Sequence, residues 1–155
     1  MHMRVQITGK LLASSAIPPP EAWTRLGNAL RERIIIRTRG RSVDADGTPF
    51  APYSDGYAAR KRKAGATTRV TLMGIGAKLP GGSVVPGKTR MLDNMAVVTN
   101  ATANPRVLIK FSDTQKAELM TYHMYDGRVL RKFFALSDDD VDYAVDFLRK
   151  VMRGL

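Results

Sequence analysis

The sequence predicts a small α+β domain, in which a long N-terminal helix and a C-terminal helix pack on a small antiparallel sheet. Two amphipathic helical patterns, one in each half of the chain, and two short alternating segments between them lead to this prediction. The length of 155 residues suits one domain, 1–155, with a single buried core. A glycine-rich basic stretch, 66–88, is predicted to form an extended loop or hairpin arm.

The N-terminal part predicts a strand followed by a helix. Residues 4–8 alternate in hydrophobicity and predict a short strand. Three prolines at 18–20 mark a boundary, and the helix after them is expected to run to about Gly40. Apolar residues at spacings of three and four predict its inward stripe. These are Trp23, Leu26, Leu30 and Ile34.

Three consecutive isoleucines, 34–36, exceed what one buried stripe accommodates. Successive residues of a helix point about 100° apart, so at least one of these large side chains is expected to be exposed. We therefore predict that Ile35 and Ile36 contribute to a second contact surface, such as a subunit interface.

A turn with two prolines and two aromatic residues, 44–54, follows this helix. Gly47 is expected to supply a positive φ, while the prolines stiffen the backbone. Phe50 and Tyr53 are predicted to anchor the turn to the core or to a neighbouring subunit, because buried aromatic rings dominate packing. The alternative is a proline-stiffened surface turn with one ring tucked in.

Positive charge is concentrated in the middle of the chain. The net charge is +11, and residues 56–92 hold eight Lys or Arg and no Asp or Glu. Ser54 is expected to cap a short helix over 57–63, ended by Gly65. A solvated run of like charge favours an acidic protein surface or nucleic-acid phosphate as its partner. The basic residues concerned are Arg60, Lys61, Arg62, Lys63, Arg69, Lys78, Lys88 and Arg90.

The C-terminal part predicts a hairpin and two helices. A short helix near 89–94 leads into two strands, 96–99 and 106–111, which are expected to pair antiparallel. A helix over about 113–124 follows, and the last helix begins at Ser137. Its first turn carries Asp138, Asp139 and Asp140, which complement the helix dipole. Its predicted buried stripe is Val141, Ala144, Val145, Leu148 and Met152.

No catalytic, metal or cofactor site is predicted. The chain has no cysteine and two histidines, His2 and His123, neither of which belongs to a triad or a metal-ligand spacing. Three consecutive carboxylates on a helix point in different directions, so they do not chelate one ion. No apolar run reaches the length of a membrane span. The sequence therefore predicts a protein that is not an enzyme, uses no cofactor and has no membrane partner.

Four segments resemble one protein family. Residues 46–54, Asp-Gly-Thr-Pro-Phe-Ala-Pro-Tyr-Ser, are similar to the Asp-Gly-x-Pro-Trp-x-Pro-Leu-Ser turn of the phage virion morphogenesis family, the tail completion proteins of Mu-like and related tailed phages. Residues 89–95 resemble that family's Thr-Gly-x-Leu-x-x-Ser element. Residues 123–127 resemble its His-Gln-x-Gly, and residues 131–138 resemble its Arg-Pro-Phe-Leu-Gly-Leu-Ser-Asp. The sequence departs from these motifs at Phe50, Arg90 and Lys132, where Trp, Gly and Pro are usual.

The resemblance implies a structural virion protein made in the host cytoplasm and incorporated into the tail or neck. Such a protein is expected to form a homo-oligomeric ring, hexameric if it follows the tail, between other neck and tail proteins. The basic arm would then contact an acidic neighbour or DNA in the lumen. The charge pattern by itself leaves two alternatives open, a non-specific nucleic-acid-binding protein that uses residues 56–92 and a solvated surface without a partner.

Overall fold

The computed structural model describes residues 3–5, 18–65, 68–70, 91–100, 105–126 and 131–154. Within these residues the chain forms an α+β domain, as predicted. The strands are β1 (Met3–Val5), β2 (Met95–Asn100) and β3 (Arg106–Phe111), and the α-helices are α1 (Pro20–Ile36), α2 (Asp55–Lys63), α3 (Thr114–Thr121) and α4 (Asp138–Met152).

An antiparallel sheet in the order β1-β3-β2 forms one layer. The predicted hairpin of β2 and β3 is confirmed, and its register runs from Met95 opposite Phe111 to Asn100 opposite Arg106. Every second residue of β3 enters the core, because strand side chains alternate between the faces. The expected N-terminal strand is present as β1, while residues 6–8 of that prediction lie outside the described residues.

Helix α1 packs closely on this sheet. The four stripe residues predicted for it are all buried, and Trp23 Nε1 donates a hydrogen bond to the Pro18 carbonyl oxygen at 3.1 Å. Gly27 allows the close approach, since a Cβ there would lie 2.4 Å from Val97 Cγ1 and 2.8 Å from Val107 Cγ1. The α-helix ends at Ile36 and continues as a π-helical turn, Arg37–Arg41. The helix predicted to run to about Gly40 therefore corresponds to α1 together with this π-helical turn.

Helix α4 begins with the predicted cap, but its buried face differs from the predicted one. The Ser137 hydroxyl accepts from the Asp140 backbone N–H at 3.2 Å, and the Asp140 carboxylate accepts from the Ser137 N–H at 3.0 Å. Asp140 is 1% exposed, whereas Val141, predicted to be buried, is 46% exposed. The buried residues of α4 are Asp140, Ala144 and Leu148, at four-residue spacing, and Val141 points about 100° away from Asp140. Ala144 and Leu148 are buried as predicted.

The remaining elements follow the expected order. Asp113 caps α3 by accepting from the Lys116 N–H at 2.9 Å, and a π-helical turn, Tyr122–Asp126, extends the helix. The short helix expected near 89–94 is a 3-10 turn over Met91–Asn94. Apart from residues 68–70, the predicted arm lies outside the described residues.

Candidate functional site

The turn between α1 and α2 is organised by one carboxylate. Asp44 Oδ1 accepts from the backbone N–H groups of Asp46, at 3.0 Å, and Thr48, at 2.8 Å. The Asp44 N–H in turn donates to the Thr48 carbonyl oxygen at 2.9 Å. Gly47 has a φ of 81°, as its predicted role requires. The backbone of the turn is therefore held in a fixed shape.

Both aromatic residues of the turn pack against the hydrophobic core. Phe50 and Tyr53 are partly buried. The Phe50 N–H donates to the Ser42 carbonyl oxygen at 2.9 Å, which fastens the second half of the turn to the end of the π-helical segment. Of the two expected anchors, the core and a neighbouring subunit, the packing of these rings on the core is therefore present. A subunit contact through either ring stays a prediction.

Two cationic side chains lie over the Tyr53 ring. Lys61 Nζ is 4.9 Å and Arg131 Cζ is 5.4 Å from the ring centroid, which is within the range of a cation–π interaction. The Tyr57 ring meets Tyr53 edge-on, with the centroids 4.9 Å apart. Arg131 also donates to the Ala51 carbonyl oxygen at 3.2 Å. We call Tyr53, Tyr57, Lys61 and Arg131 the tyrosine–cation cluster.

Lys61 therefore does not have the role predicted for it. Its side chain is fully buried, at 0% exposure, whereas Arg60, Arg62 and Lys63 are exposed. Helical periodicity explains the difference, since the run of four occupies all sides of α2 and one position must face inward. Burial lowers the pKa of Lys61. We call Arg60, Arg62 and Lys63 the α2 basic face.

Of the other predicted basic residues, Arg69 lies within the described part of the chain. Arg69 is exposed but attached to the domain: its Nε donates to Ser42 Oγ at 2.8 Å, and its Nη2 donates to the Gly40 carbonyl oxygen. The other three basic positions lie outside the described residues. They are Lys78, Lys88 and Arg90.

A buried ion-pair cluster, which the sequence did not predict, joins α1 to α4. Arg33 Nε lies 2.6 Å from Asp140 Oδ1, and Arg37 Nη1 lies 2.5 Å from Asp140 Oδ2. Burial by itself would raise the pKa of Asp140, but the hydrogen bonds from the Ser137 backbone, both guanidinium groups and the Ser137 side chain lower it overall. The carboxylate therefore stays ionised. The sequence did contain one signal for a shared acidic partner. Arg33 and Arg37 lie one helical turn apart, beside the buried Ile34.

A cleft of about 400 Å³ lies where the end of α1, the 44–54 turn and the start of α4 meet. Arg41, Val43 and Asp138 are among its lining residues, as is Ile36, which is 53% exposed. Ile35, by contrast, packs partly against the core. Of the two isoleucines predicted to form a contact surface, Ile36 thus presents more apolar surface.

His123 is partly buried, and burial together with the charge of Arg131 lowers its pKa. Its imidazole is therefore neutral at pH 7. The described residues contain no group of three side chains that could bind a metal ion. None of the helices in the described part of the chain combines the length and apolar character needed to cross a bilayer.

Three of the four family-like segments meet at one residue. Arg131, which begins the 131–138 segment, donates its backbone N–H to the His123 carbonyl oxygen at 2.7 Å. Its side chain reaches Ala51 and Tyr53 of the 46–54 segment. Comparisons with protein-family models, with curated proteins and with solved structures found no match.

Proposed function

We propose that this chain is a structural protein of a tailed-phage virion, a tail completion component that joins head and tail as a homo-oligomeric ring. The convergence at Arg131 carries the proposal. Three segments that each resemble the same family meet at Arg131, whose buried guanidinium contacts the 46–54 segment and whose backbone N–H donates to His123. Such contacts are expected if the segments define one shared structure.

The exposed apolar surface beside the turn also supports assembly. Ile36 lines a cleft together with residues of the turn, and its side chain is half exposed. Exposed apolar surface rimmed by polar residues marks protein–protein interaction sites. The expected partners are further copies of the chain and neighbouring neck or tail proteins. The proposal assigns no enzymatic activity, cofactor or membrane contact to the chain.

Light scattering coupled to size-exclusion chromatography, followed by electron microscopy, tests this proposal. We expect a discrete closed oligomer, hexameric if it follows the tail, and the same chain in purified virions. Ile36→Asp should weaken the oligomer without unfolding the domain, because its side chain is half exposed. Val98→Asp is the matched control, since Val98 is a similarly exposed apolar residue on β2. A monomer that is absent from virions would contradict the proposal.

Non-specific nucleic-acid binding is the second candidate, and the α2 basic face favours it. Its three side chains are exposed and form no ion pair with the other described residues. Binding through phosphate contacts alone would be independent of sequence and would weaken steeply with salt. Fluorescence anisotropy with random-sequence duplexes at two salt concentrations tests this function. Salt-sensitive binding by a monomer would favour it over ring assembly.

A further inference from the structure

Two helix faces of opposite charge carry exposed side chains, most of which form no ion pair within the described residues. We infer that the α2 basic face of one copy docks on the acidic outer face of α4 of the next copy. This inference deepens the proposed ring and rests on it. The contact connects successive subunits head to tail.

The basic side of this contact is a shallow, accessible helix surface. Gly56 and Ala59 lie exposed on α2 before the cations, and the space where a Gly56 side chain would begin is open. Small residues beside the basic face let a second helix approach α2 closely. The guanidinium of Arg60 lies over the Tyr57 ring, 5.4 Å from its centroid, which orients this cation at the edge of the face.

The acidic side is a row of carboxylates on α4. Asp138, Asp142 and Asp146 follow one another at four-residue spacing, so they lie on one face, and all are exposed. Asp146 pairs with Arg149 at 3.3 Å. Asp138, Asp142 and the adjacent Asp139 form no ion pair within the part of the chain that the structure describes.

Charge complementarity points to a second copy as the occupant. The three cations of the α2 basic face would meet the carboxylates of Asp138, Asp139 and Asp142. Both helix faces are present on every copy of the chain. Exposed Val141, at 46%, lies one turn from Asp138 and would be covered by the aliphatic stems of the arginines. A nucleic acid would engage the basic face alone and would leave the acidic face unused. Because donor and acceptor are different surfaces, the contact is heterologous and generates a ring when its rotation closes.

Charge reversal on each helix gives a test with a built-in rescue. The basic variant carries Asp138→Lys, Asp139→Lys and Asp142→Lys, and the acidic variant carries Arg60→Glu, Arg62→Glu and Lys63→Glu. We expect each variant alone to lose the oligomer peak in sedimentation velocity at low salt, because like charges then face each other. Mixed in equal amounts, the two should assemble again as alternating subunits. The acidic variant remains net positive, since the wild-type chain carries +11.

Matched controls reverse exposed charges elsewhere. Glu32→Lys with Glu118→Lys, and Lys110→Glu with Lys132→Glu, should leave the oligomer unchanged, and circular dichroism confirms folding of every variant. A wild-type oligomer that survives both triple reversals would overturn the docking inference while leaving the ring itself intact. So would an acidic variant that loses nucleic acid but keeps its oligomer size. A wild-type chain that stays monomeric and is absent from virions would remove the ring and the inference together.

Discussion

The start of α4 and the end of α2 each carry a run of like charges, and in each run one member is buried. Asp140 is 1% exposed and Lys61 is 0% exposed, while the neighbours of both are exposed. Asp140 is satisfied by two guanidinium groups and a helix cap. Lys61 lies instead over tyrosine rings. A run of like charges is therefore not one functional unit, because helix geometry separates its members.

Removal of the Asp140 carboxylate is expected to have the largest effect on the free energy of unfolding. Asp140→Ala would leave Arg37 buried without its ion pair, and loss of one partner of such a pair costs about 3–5 kcal/mol. Urea denaturation measures the change in the free energy of unfolding. Asp139→Ala is the control, because this exposed neighbour uses its backbone and not its carboxylate to accept from Arg33. Equal effects of the two variants would remove the distinction between buried and exposed carboxylates.

Removal of the buried Lys61 side chain from α2 is expected to lower the free energy of unfolding by a smaller amount. Lys61→Ala removes the ammonium group over the Tyr53 and Tyr57 rings, together with its buried aliphatic stem, and should cost about 1–2 kcal/mol. Arg62→Ala, one position along and exposed, should leave thermal unfolding nearly unchanged. A larger loss for Arg62→Ala than for Lys61→Ala would contradict the inward-facing position of Lys61.

The two helix N-termini also differ in how they are capped. The Ser137 side chain accepts from the first turn of α4, so Ser137→Ala should cost about 1 kcal/mol. Ser54 occupies the same position before α2, but its side chain accepts no hydrogen bond from the first turn, all of which the structure describes. Ser54→Ala is thus the control, and chemical denaturation should show a smaller change. A cost equal to that of Ser137→Ala would contradict the observed caps.

A fall in pH should have the smallest effect on stability at Asp140, because this carboxylate takes up a proton only below its ordinary pKa of 3.8. The pKa of Asp140 is lowered from its ordinary value of 3.8, so the unfolded chain binds a proton more readily than the folded one. The stability that this carboxylate contributes is present above 3.8 and is lost as the pH falls through the lower folded value. Asp140→Asn should abolish this loss in urea titrations, whereas Asp139→Asn should retain it. The lowered pKa of His123 has the same sign but acts from 6.5 downward.

Much of the fold follows from local patterns. The stripe of α1, the hairpin of β2 and β3, the Asp113 to Met124 helix and the Ser137 cap all depend on residues close in sequence. The errors have a common origin. The burial of Lys61 and of Asp140, and the exposure of Val141, each required knowing which side of a helix faces the rest of the domain.

The candidate site was only partly predictable. The turn with Gly47 was visible, because its backbone preferences are local. The pairing of Arg33 and Arg37 with Asp140 joins residues more than a hundred positions apart, and no local pattern encodes such a partner. The contact of Arg131 with Tyr53 also joins residues far apart in sequence and was not predicted.

By itself, the sequence determined which segments are helix, strand or turn, and where positive charge accumulates, since propensity, capping and periodicity act over a few residues. Only the tertiary structure decided which charges are buried and which remain exposed on α2 and α4. Burial of a charge depends on which side of its helix faces the domain and on the groups that meet it there. Asp140 meets guanidinium groups from the far end of the chain, whereas Lys61 meets the nearby rings of Tyr53 and Tyr57.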